Sequence, residues 1–458
     1  MGDTKRIAVV GAGPAGFYAC EDLLKAGFEV DLYDVLPTPF GLVRAGVAPD
    51  HPKLKTVTRR YEKTAAMEGF RFFGGVELGQ DVMRADLFER YHAVIYAVGT
   101  SDDNRLGIEG EDRPGSHSAT EFVAWYNGHP DYAEREFDLS ASRAVVIGNG
   151  NVAIDVARML VLDPDEIKVT DTANHAIAGL GAAQVEHVIM LGRRGPAQAA
   201  FTNPELLELG ELKRSDVIVD PAEMELDEHS RAWLAEHGDK TSRRNVEILT
   251  EYAQREPQGK SHRIELRFLR SPLEIVGENG DGPVTGIRVV KNKINDELRA
   301  VPTGEEELIE CGLVMRSIGY RGRPLPDVPF DDKRGLIRNE GGRVLDEEGR
   351  PIPGEYAVGW IKRGPSGVIG TNKKDASDTI ARLLEDAEAD RLNEPANPDP
   401  DAVEPWLRSQ VPGLCTWNGW EAIDRHETSA GEPHGRPRIK VVSVAEMQRI
   451  AAGDPARR

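Results

Sequence analysis

Two short glycine-rich stretches decide the fold of this chain: GAGPAG at residues 11–16 and GNGNVA at residues 148–153. Each stretch follows an apolar run that is typical of a β-strand, residues 7–10 before the first and residues 144–147 before the second. Each stretch also precedes a pattern that is typical of a helix. This order of strand, tight turn and helix is the fingerprint of a dinucleotide-binding unit. One such match is weak evidence, but two in the right context predict that one protein holds two dinucleotides.

The positions within each stretch have distinct physical roles. The first glycine permits the tight turn, the second lets the backbone approach a pyrophosphate, and the third small residue lets helix and strand pack closely. The phosphates then face the unpaired N–H groups and the positive end of the helix dipole. The residues in these roles are Gly11, Gly13 and Gly16 in the first stretch and Gly148, Gly150 and Ala153 in the second.

The residues at the tips of the next strands predict which dinucleotide each unit takes. Asp34 follows the strand at 30–33, about 20 positions after the first glycines, where a carboxylate binds a ribose hydroxyl. Because a carboxylate repels a 2′-phosphate, this unit suits FAD or NAD; the alternative is that Asp34 only caps a turn. Arg193 and Arg194 stand at the matching tip of the second unit, and guanidinium groups bind phosphate in a forked geometry. They predict NADPH rather than NADH, the alternative being a solvated basic turn.

The bulk composition excludes several classes of protein. The 458 residues carry a formal net charge of −20, which argues against general nucleic-acid binding. No apolar run approaches the roughly 20 residues of a membrane span, and the first residues run directly into a strand, so neither a span nor a signal peptide is expected. Cys20, Cys311 and Cys415 form no CxxC pair, so neither a metal site nor dithiol chemistry is expected. A cytoplasmic location is the simplest expectation.

The order of the motifs predicts an α/β protein with two Rossmann-like domains, one inserted in the other. The composition turns polar and glycine-rich near residue 105, and a strand pattern that ends at Tyr320 closes a domain near residue 330. The expected segments are an FAD-binding domain at 1–105, an inserted NADP-binding domain at 106–331, and the rest of the FAD-binding domain with a C-terminal extension at 332–458.

Two segments outside the fingerprints also lead to predictions. A helix is predicted from about Lys53 to Glu68, directly after His51 and Pro52. From spacing alone, His51 is better explained as a helix-entry residue with a proline in the first helical position than as a polar group near a flavin. Residues 391–405 are rich in Pro, Asn and Asp and are interpreted as a linker, and the tail from Trp406 is expected to pack on the first domain.

Several longer blocks of sequence resemble one known family. They are GAGPAGF at 11–17, PFGLVRAGVAPDHP at 39–52, GNGNVAIDVAR at 148–158, RRGP at 193–196, FT at 201–202 and WIKRGPSGVIGTN at 360–372. They occur in this order along most of the chain, and together they resemble adrenodoxin reductase and its bacterial relatives, the FprA-type ferredoxin–NADP reductases. The blocks at 39–52 and 360–372 are specific to that family, whereas the glycine fingerprints are not.

The resemblance implies FAD held by the N- and C-terminal segments and NADPH held by the inserted domain. The FAD contacts that it implies are Ala15, Asp34, Leu42, Leu78, Trp360, Gly367, Val368 and Ile369. The NADP contacts that it implies are Asn149, Gly150, Asn151, Val152, Arg193, Arg194 and Glu205, with Gly367 shared near the nicotinamide. His51 with Glu208 resembles an active-site ionic couple, which would tune the surroundings of the flavin.

The resemblance also implies a protein partner. In the family, basic residues of the NADP domain dock an acidic iron–sulfur protein, and Arg243 with Arg244 are the candidates here. Three positions depart from the family pattern: Asp34 replaces the usual Glu, Leu78 replaces a Val, and Phe40 stands where some relatives have Trp. Asp34 is shorter than Glu but keeps the same chemistry.

The sequence thus predicts an FAD enzyme that takes a hydride from NADPH and passes single electrons to a ferredoxin. Hydride transfer to a flavin needs no protein nucleophile. One alternative is an electron-transfer flavoprotein that resembles the glutamate synthase small subunit or a disulfide reductase. The lack of CxxC and of an N-terminal cysteine cluster argues against it. The other alternative is a non-catalytic flavin-binding scaffold or redox sensor.

Overall fold

The computed structural model describes residues 4–367 and 369–453 of the 458-residue chain. Contacts between residues divide it into two compact units. The first unit holds the chain up to Asp102, the short segment Asn127–Pro130 and the chain from Gly319 onward. The second unit holds Asp103–Tyr126 and Asp131–Ile318.

The described residues form strands, helices and short 3-10 turns with the following bounds. The strands are β1 Arg6–Val10, β2 Glu29–Asp34, β3 Phe70–Gly74, β4 Ala93–Tyr96, β5 Asp102–Asp103, β6 Ser116–Ser118, β7 Arg143–Ile147, β8 His187–Leu191, β9 Ser215–Val219, β10 His262–Arg267, β11 Arg270–Gly277, β12 Val284–Ile294, β13 Ala300–Glu310, β14 Leu313–Arg316, β15 Tyr320–Arg321, β16 Phe330–Asp331, β17 Leu336–Ile337, β18 Asn339–Glu340, β19 Arg343–Leu345, β20 Pro351–Ala357 and β21 Cys415–Thr416. The helices are α1 Pro14–Lys25, α2 Leu42–Ala45, α3 Pro52–Lys55, α4 Thr58–Ala65, α5 Arg84–Phe88, α6 Ala119–Tyr126, α7 Asn151–Val161, α8 Pro164–Ile167, α9 Asn174–Gly181, α10 Asn203–Leu209, α11 Glu228–Glu236, α12 Lys240–Gln254, α13 Trp360–Arg363, α14 Thr371–Glu388, α15 Pro400–Gln410, α16 Trp417–Gly431 and α17 Val444–Ala451. Short 3-10 turns occur at Pro130–Tyr132, Pro196–Gln198, Pro221–Met224 and Glu432–His434.

The first unit is built on one sheet with the strand order β18-β19-β20-β4-β1-β2-β3-β21. The five strands from β20 to β3 in that order run parallel, and the outer strands pair antiparallel. Because β2 and β4 lie on opposite sides of β1, the direction of winding reverses at β1, and open α/β sheets bind ligands at such a point. Helices α1 and α14 pack together and bury Phe17 and Leu383 in one core with Ile7 and Val9 of β1.

The second unit repeats this arrangement. Its parallel sheet has the order β6-β14-β7-β8-β10-β9, so that β7 lies between β8 and β14 as β1 lies between β2 and β4. An antiparallel sheet, β11-β12-β13, packs against it through Ile275 and Val289, which share a core with Val145 of β7. The two parallel sheets confirm the predicted α/β class with two Rossmann-like units. No helix among the described residues is both long and apolar enough to cross a membrane.

The contacts divide the chain at somewhat different places from the predicted domain boundaries. The first division follows Asp102, close to the predicted boundary at 105. The second follows Ile318, whereas the sequence pattern placed it at 331. The reason is that the segment after Ile318 packs into the first unit, where Val328 and Phe330 share a core cluster with Tyr33 and Phe73.

Three local predictions can be compared with the elements. The helix predicted from Lys53 to Glu68 is broken into α3 and α4. The stretch at 391–405 is not all linker, because α15 begins at Pro400 with the Asp399 carboxylate accepting the Asp401 N–H at 3.0 Å. An aspartate cap followed by proline is a helix-start signal that the composition concealed. The tail packs on the first unit as predicted, since Trp420, Ile423 and Met447 belong to its core.

A buried ion cluster joins β1, β2 and β3. Asp31 on β2 is 2 % exposed, and its carboxylate accepts hydrogen bonds from Arg6 at 2.6 Å and Arg71 at 2.7 Å. The Tyr91 hydroxyl donates to the same carboxylate at 2.5 Å and is bonded to the Tyr33 hydroxyl. Removing one partner from such a buried cluster leaves the others uncompensated, which makes the cluster sensitive to substitution.

Asp31→Asn is therefore expected to destabilise the first unit by about 3–5 kcal/mol, because two guanidinium groups lose their shared carboxylate. The matched control is Asp390→Asn. Asp390 has a 96 % exposed side chain 3.9 Å from Lys5, and its loss should cost less than about 1 kcal/mol. Urea unfolding followed by far-ultraviolet circular dichroism measures both. Equal midpoints for the two variants would contradict the expectation.

Candidate dinucleotide sites and family relationship

The first glycine turn of the first unit fits closely between two strand tips. Gly11 follows β1 with φ of +111°, and its N–H donates to Tyr33 O at 2.8 Å. A Cβ at Gly11 would lie 2.5 Å from Ala97 O, just beyond β4. A Cβ at Gly16 would collide with Gly11 O. Both positions therefore require glycine, since no side chain has room there and φ at Gly11 is in the region that other residues avoid.

The turn of the second unit has the same geometry. Gly148 follows β7 with φ of +138°, and its N–H donates to Leu191 O at 2.9 Å. A Cβ at Gly148 would collide with Ser317 O, just beyond β14. The third small residue, Ala153, is fully buried. Each fingerprint thus makes the same close contact with the strand on the far side of the winding reversal.

Each turn leads into a helix whose first N–H groups have no side-chain cap. Gly13 is the N-cap residue of α1 and Gly150 that of α7, and neither offers a side-chain acceptor. A Cβ at either position would meet nothing within 4 Å, so the space in front of both helices is open to a ligand. Uncapped N–H groups at the positive end of a helix are suited to an anion, and each turn fits a pyrophosphate.

Asp34 is the last residue of β2 and connects the strand tip to the first turn. Its Oδ2 accepts the Ala12 N–H at 2.7 Å, and its Oδ1 accepts the Leu36 N–H at 2.9 Å. Burial raises the pKa of Asp34 to about 6, although these two hydrogen bonds act in the opposite direction. Asp34 therefore does cap a turn, as the alternative held. Each oxygen nevertheless has a second lone pair with which it could accept a ribose hydroxyl.

Two buried polar atoms of the first unit suggest a polar ligand. The indole Nε1 of Trp360 and the hydroxyl of Thr38 have no hydrogen-bond partner among the described residues. Burying such groups unpaired costs free energy, so a partner outside the chain is expected. Trp360 also lies near the fingerprint helix, because a Cβ at Gly359 would be 2.6 Å from the Cβ of Ala15. These features fit FAD.

The other implied FAD contacts occupy varied settings in the first unit. Leu42 begins α2 and is 41 % exposed. Leu78 and Ile369 are partly buried against two different core clusters. Gly367 has φ of +78°, which favours glycine at that position. Val368 lies outside the described residues.

The arginine pair of the second unit follows β8. Arg193 is exposed and Arg194 half-buried, and neither guanidinium takes part in an ion pair among the described residues. Burial, together with the weaker effect of the charge of Arg193, lowers the pKa of Arg194. The backbone after β8 is held in place by Asn292, whose Nδ2 donates to Arg193 O at 2.8 Å. Two adjacent cations without a carboxylate partner fit the 2′-phosphate of NADPH.

Both predicted carboxylates on α10 point toward the fingerprint helix of their own unit. Arg158 on α7 is 5 % exposed, and its Nη1 lies 3.3 Å from Glu208 Oε2 and 3.7 Å from Glu205 Oε2. This buried guanidinium fixes α10 against α7. Glu205 and Glu208 are therefore held in place by a residue of the same sequence block that carries the glycines.

The asparagines of the second fingerprint help to shape its turn. The Asn151 carboxamide accepts the Thr202 N–H at 2.8 Å, which joins the fingerprint to the segment before α10. The backbone oxygen of Asn149 accepts the Ala200 N–H at 3.0 Å. Val152 is half-buried in the first turn of α7. Through these bonds, the turn is held in the conformation that leaves its N–H groups open.

His51 is 8 % exposed and is the N-cap residue of α3, with Pro52 at the first helical position. This is the helix-entry geometry that spacing favoured. His51 belongs to the first unit and Glu208 to the second, so the ionic couple stays a prediction.

Arg243 and Arg244 both lie on α12, and both have partners within the second unit. Arg243 donates to the carbonyls of Leu234 and Ala235 at the end of α11, at 3.2 and 3.0 Å. Arg244 Nη1 lies 2.9 Å from Glu247 Oε2 in an exposed ion pair. Both arginines therefore have a structural role within the second unit.

Three residues of the sites were not predicted from the sequence. Arg158 lies within the quoted run at 148–158, and Gly359 directly precedes the block at 360–372, so both could have been found from their neighbours. Thr38 directly precedes the block at 39–52 and could have been found in the same way. A single sequence shows which residues are polar but not which of them are buried without a partner.

The binding of FAD to the apoprotein is expected to weaken as the pH falls through about 6. The pKa of Asp34, at about 6, lies above the ordinary value for aspartate, so the carboxylate is ionised near pH 8 and mostly protonated near pH 5. Charge-assisted hydrogen bonds are about twice as strong as neutral ones, so an affinity loss of about tenfold is expected.

Titration of apoprotein with FAD, followed by quenching of flavin fluorescence, measures this effect. Asp34→Asn serves as the control, since it should bind FAD weakly at both pH values. A wild-type affinity that is the same at both ends of the range would show that Asp34 does not contact the ribose.

Comparisons with known proteins agree with this geometry. Residues 5–188 match the family model described as pyridine nucleotide-disulphide oxidoreductase. The chain is 49 % identical to the NADPH-ferredoxin reductase FprA of Mycobacterium leprae, with 98 % of each chain covered. It is 41 % identical to human mitochondrial NADPH:adrenodoxin oxidoreductase, over 98 % of this chain and 92 % of that one.

A solved structure gives the same result. The complex of Mycobacterium tuberculosis FprA with NADPH superposes with a TM-score of 0.91 at 47 % identity, over 98 % of this chain and 100 % of that one. Full-length similarity at this level confirms the resemblance and the fold predicted from the sequence. The chain belongs to the family of adrenodoxin reductase and the FprA-type NADPH–ferredoxin reductases.

Proposed function

We propose that this chain oxidises NADPH and delivers the electrons one at a time to a ferredoxin, with FAD as the intermediate carrier. The chain is an oxidoreductase of the ferredoxin–NADP reductase type, with FAD and NADPH as its cofactors. Flavin chemistry suits this task because a bound FAD can accept a hydride and release single electrons. The protein's own part is to bind, orient and shield the two cofactors.

One observation carries the proposal: two equivalent turns end in opposite chemistry. Both fingerprints place a glycine against the neighbouring strand tip and open onto an uncapped helix. The first then presents the Asp34 carboxylate, and the second presents Arg193 and Arg194, which have no ion-pair partner in the described part of the chain. A carboxylate accepts ribose hydroxyls, whereas guanidinium groups bind a 2′-phosphate. The pair of sites therefore supports FAD in the first unit and NADPH in the second.

The residues proposed for each site derive from these turns and from the resemblance. For FAD they are Gly11, Gly13, Ala15, Gly16, Asp34, Leu42, Leu78, Trp360, Gly367, Val368 and Ile369. For NADPH they are Asn149, Gly150, Asn151, Val152, Arg193, Arg194 and Glu205. Support comes from the buried indole N–H of Trp360 in the first set and from the two arginines in the second, which find no hydrogen-bond or ion-pair partner, respectively, among the residues described.

We propose that His51 and Glu208 form the ionic couple of the active site. Their part would be electrostatic, because a hydride moves between the cofactors without a protein acid, base or nucleophile. The near-complete burial of His51 means that a charge on it would be weakly screened, which supports a tuning role.

A ferredoxin-type protein is the electron acceptor in this family. We propose that it is acidic and that Arg243 and Arg244 contribute to its docking. Arg243 binds only backbone carbonyls in the described residues, so its positive charge is not neutralised by a carboxylate there. The cytoplasmic location stays a prediction.

Dithiol chemistry has no support in the chain. Its cysteines form no CxxC pair, and Cys20, Cys311 and Cys415 are all buried. Burial raises the pKa of Cys311 and Cys415 to about 12 and that of Cys20 further still, so none is poised to form the reactive thiolate.

Anaerobic mixing of the FAD-loaded protein with NADPH, and separately with NADH, tests the proposal. Fast bleaching of the flavin absorbance with NADPH and slow bleaching with NADH are expected, and then reduction of added ferredoxin. If neither nucleotide reduces the flavin, the proposed reductase activity is refuted. A flavin that NADPH reduces but that does not pass electrons to any ferredoxin would leave only the first half of the activity.

Arg193→Ala is expected to raise the KM for NADPH by about 10- to 100-fold and that for NADH by less than about twofold, because a charged hydrogen bond contributes about 1.5–3 kcal/mol. Arg299→Ala is the control, since Arg299 is an exposed residue that pairs with Glu297 at 3.1 Å. Steady-state rates with an artificial acceptor report both constants. Equal effects on the two nucleotides would refute the assignment of the 2′-phosphate to Arg193.

A further inference from the structure

Residues 40–44, here called the flavin loop, have an unusual backbone. Phe40 has φ of +85° and Gly41 has φ of +48°, so two consecutive residues lie in the left-handed region. For a bulky residue such as Phe40 this conformation is costly and persists only where surrounding structure enforces it. The loop ends in α2, which carries the proposed FAD contact Leu42.

The flavin loop lies directly on the first fingerprint. The Phe40 N–H donates to Ala12 O at 2.8 Å. A Cβ at Gly41 would lie 3.0 Å from the Cα of Gly13, so the two backbones are in contact. The position of the loop therefore decides how much space the turn leaves for a pyrophosphate and for the rest of FAD.

The far end of the loop is held by helix α16, Trp417–Gly431. Arg44 donates to both carboxylate oxygens of Glu427, at 2.8 and 2.5 Å. This bidentate ion pair is here called the ionic fork. Its guanidinium carbon also lies 5.5 Å from the centre of the Trp420 ring. Arg44 and Glu427 are 383 positions apart in the sequence, so this contact is set by the tertiary fold alone.

Glu427 is itself fixed from other directions. Its side chain is fully buried, and it accepts hydrogen bonds from Arg438 at 3.0 Å and from the Val441 N–H at 2.8 Å. Burial raises the pKa of Glu427, but the charges and hydrogen bonds of Arg44 and Arg438 outweigh it and hold the pKa below its ordinary value. Glu427 is therefore a buried, ionised carboxylate that connects Arg44 to Arg438 and Val441. Residues 417–441 are here called the C-terminal segment.

Two further contacts hold the same loop. Lys440 donates from Nζ to Arg44 O at 3.0 Å. The Phe40 ring packs edge-on against Trp420 of α16, with ring centres 5.5 Å apart. The C-terminal segment thus contacts the flavin loop at both its strained end and its charged end.

We propose that Glu427 is a positioning residue for the flavin: through Arg44 it holds the flavin loop in the conformation that receives FAD. This proposal rests on the FAD site of the proposed function. The C-terminal segment thereby takes part in cofactor binding, although it lies outside both fingerprints. Replacing the carboxylate would leave the fold of the sheet intact and release the loop.

Glu427→Gln in the full-length FAD-loaded protein tests the proposal. Loss of the ionic fork should let the loop relax, because pre-organised contacts lose affinity when they become mobile. We expect FAD to dissociate about tenfold faster or more, and the visible circular dichroism of the flavin to change, as the loop no longer constrains it. The kcat should fall about fivefold while the KM for NADPH stays within about twofold, since the NADPH residues lie in the other unit.

Two variants make the test decisive. Glu421→Gln changes an exposed carboxylate on the same helix, 3.8 Å from Arg425, and should match the wild type in every measurement. Arg44→Lys keeps the charge opposite Glu427 but removes the fork, and it should reproduce the faster FAD release. If Glu427→Gln does not fold, the result with Arg44→Lys decides.

The outcomes separate this proposal from the proposed function. A lower melting temperature with unchanged flavin dichroism, FAD release and kcat would mean that Glu427 is only structural, and would overturn the proposal. A wild-type protein that holds FAD but does not reduce ferredoxin would refute the proposed function and leave the spectroscopic test valid. A wild-type protein that binds no FAD would overturn both.

Discussion

The absence of a side chain at Gly11 and at Gly148 is the constraint on which both units depend. In each unit the first fingerprint glycine packs against the backbone just beyond the neighbouring parallel strand, Ala97 in one case and Ser317 in the other. Any Cβ would push these strand tips apart. Their approach brings the winding reversal of the sheet and the open end of a helix to one place. The close packing of helix, turn and strand tip at each candidate ligand site therefore depends on one steric fact.

The two units show how little is needed to change the preference of a common scaffold. In both units the first glycine donates its N–H to the next strand and packs against the strand on the other side, so this part of the turn does not distinguish the ligands. The difference lies at the tip of the next strand. One unit has the Asp34 carboxylate, held by two backbone N–H groups, and the other has Arg193 and Arg194, which form no ion pair with any residue that the structure describes. Charge at the strand tip acts at short range in a partly buried setting, where it is weakly screened. In the proposed assignment, selectivity depends on a few residues at the strand tips and not on the sheets that carry them.

Much of the fold was predictable because its signals are local. Strands β1 and β7, helices α1 and α7, and the residues at the strand tips each appear in a few consecutive letters. The features that could not be predicted depend on distant residues: Asp31 gathers Arg6, Arg71 and Tyr91 from three other places in the chain. Composition and periodicity did not predict the break between α3 and α4. They also did not predict the helix that begins at Pro400. The Arg44–Glu427 pair, whose members are 383 positions apart, has no local signature at all.

The insertion of one unit within the other has a consequence for biosynthesis. The six-stranded sheet of the second unit is complete once β14 ends at Arg316, whereas the first sheet needs β20, which pairs Glu355 with Val94. Chains emerge from the ribosome N-terminus first, and domains generally fold as units. The inserted unit can therefore close while the N-terminal strands of the first still wait for their partners. The sheet of the first unit, by contrast, gains its fifth parallel strand only when β20 has been made.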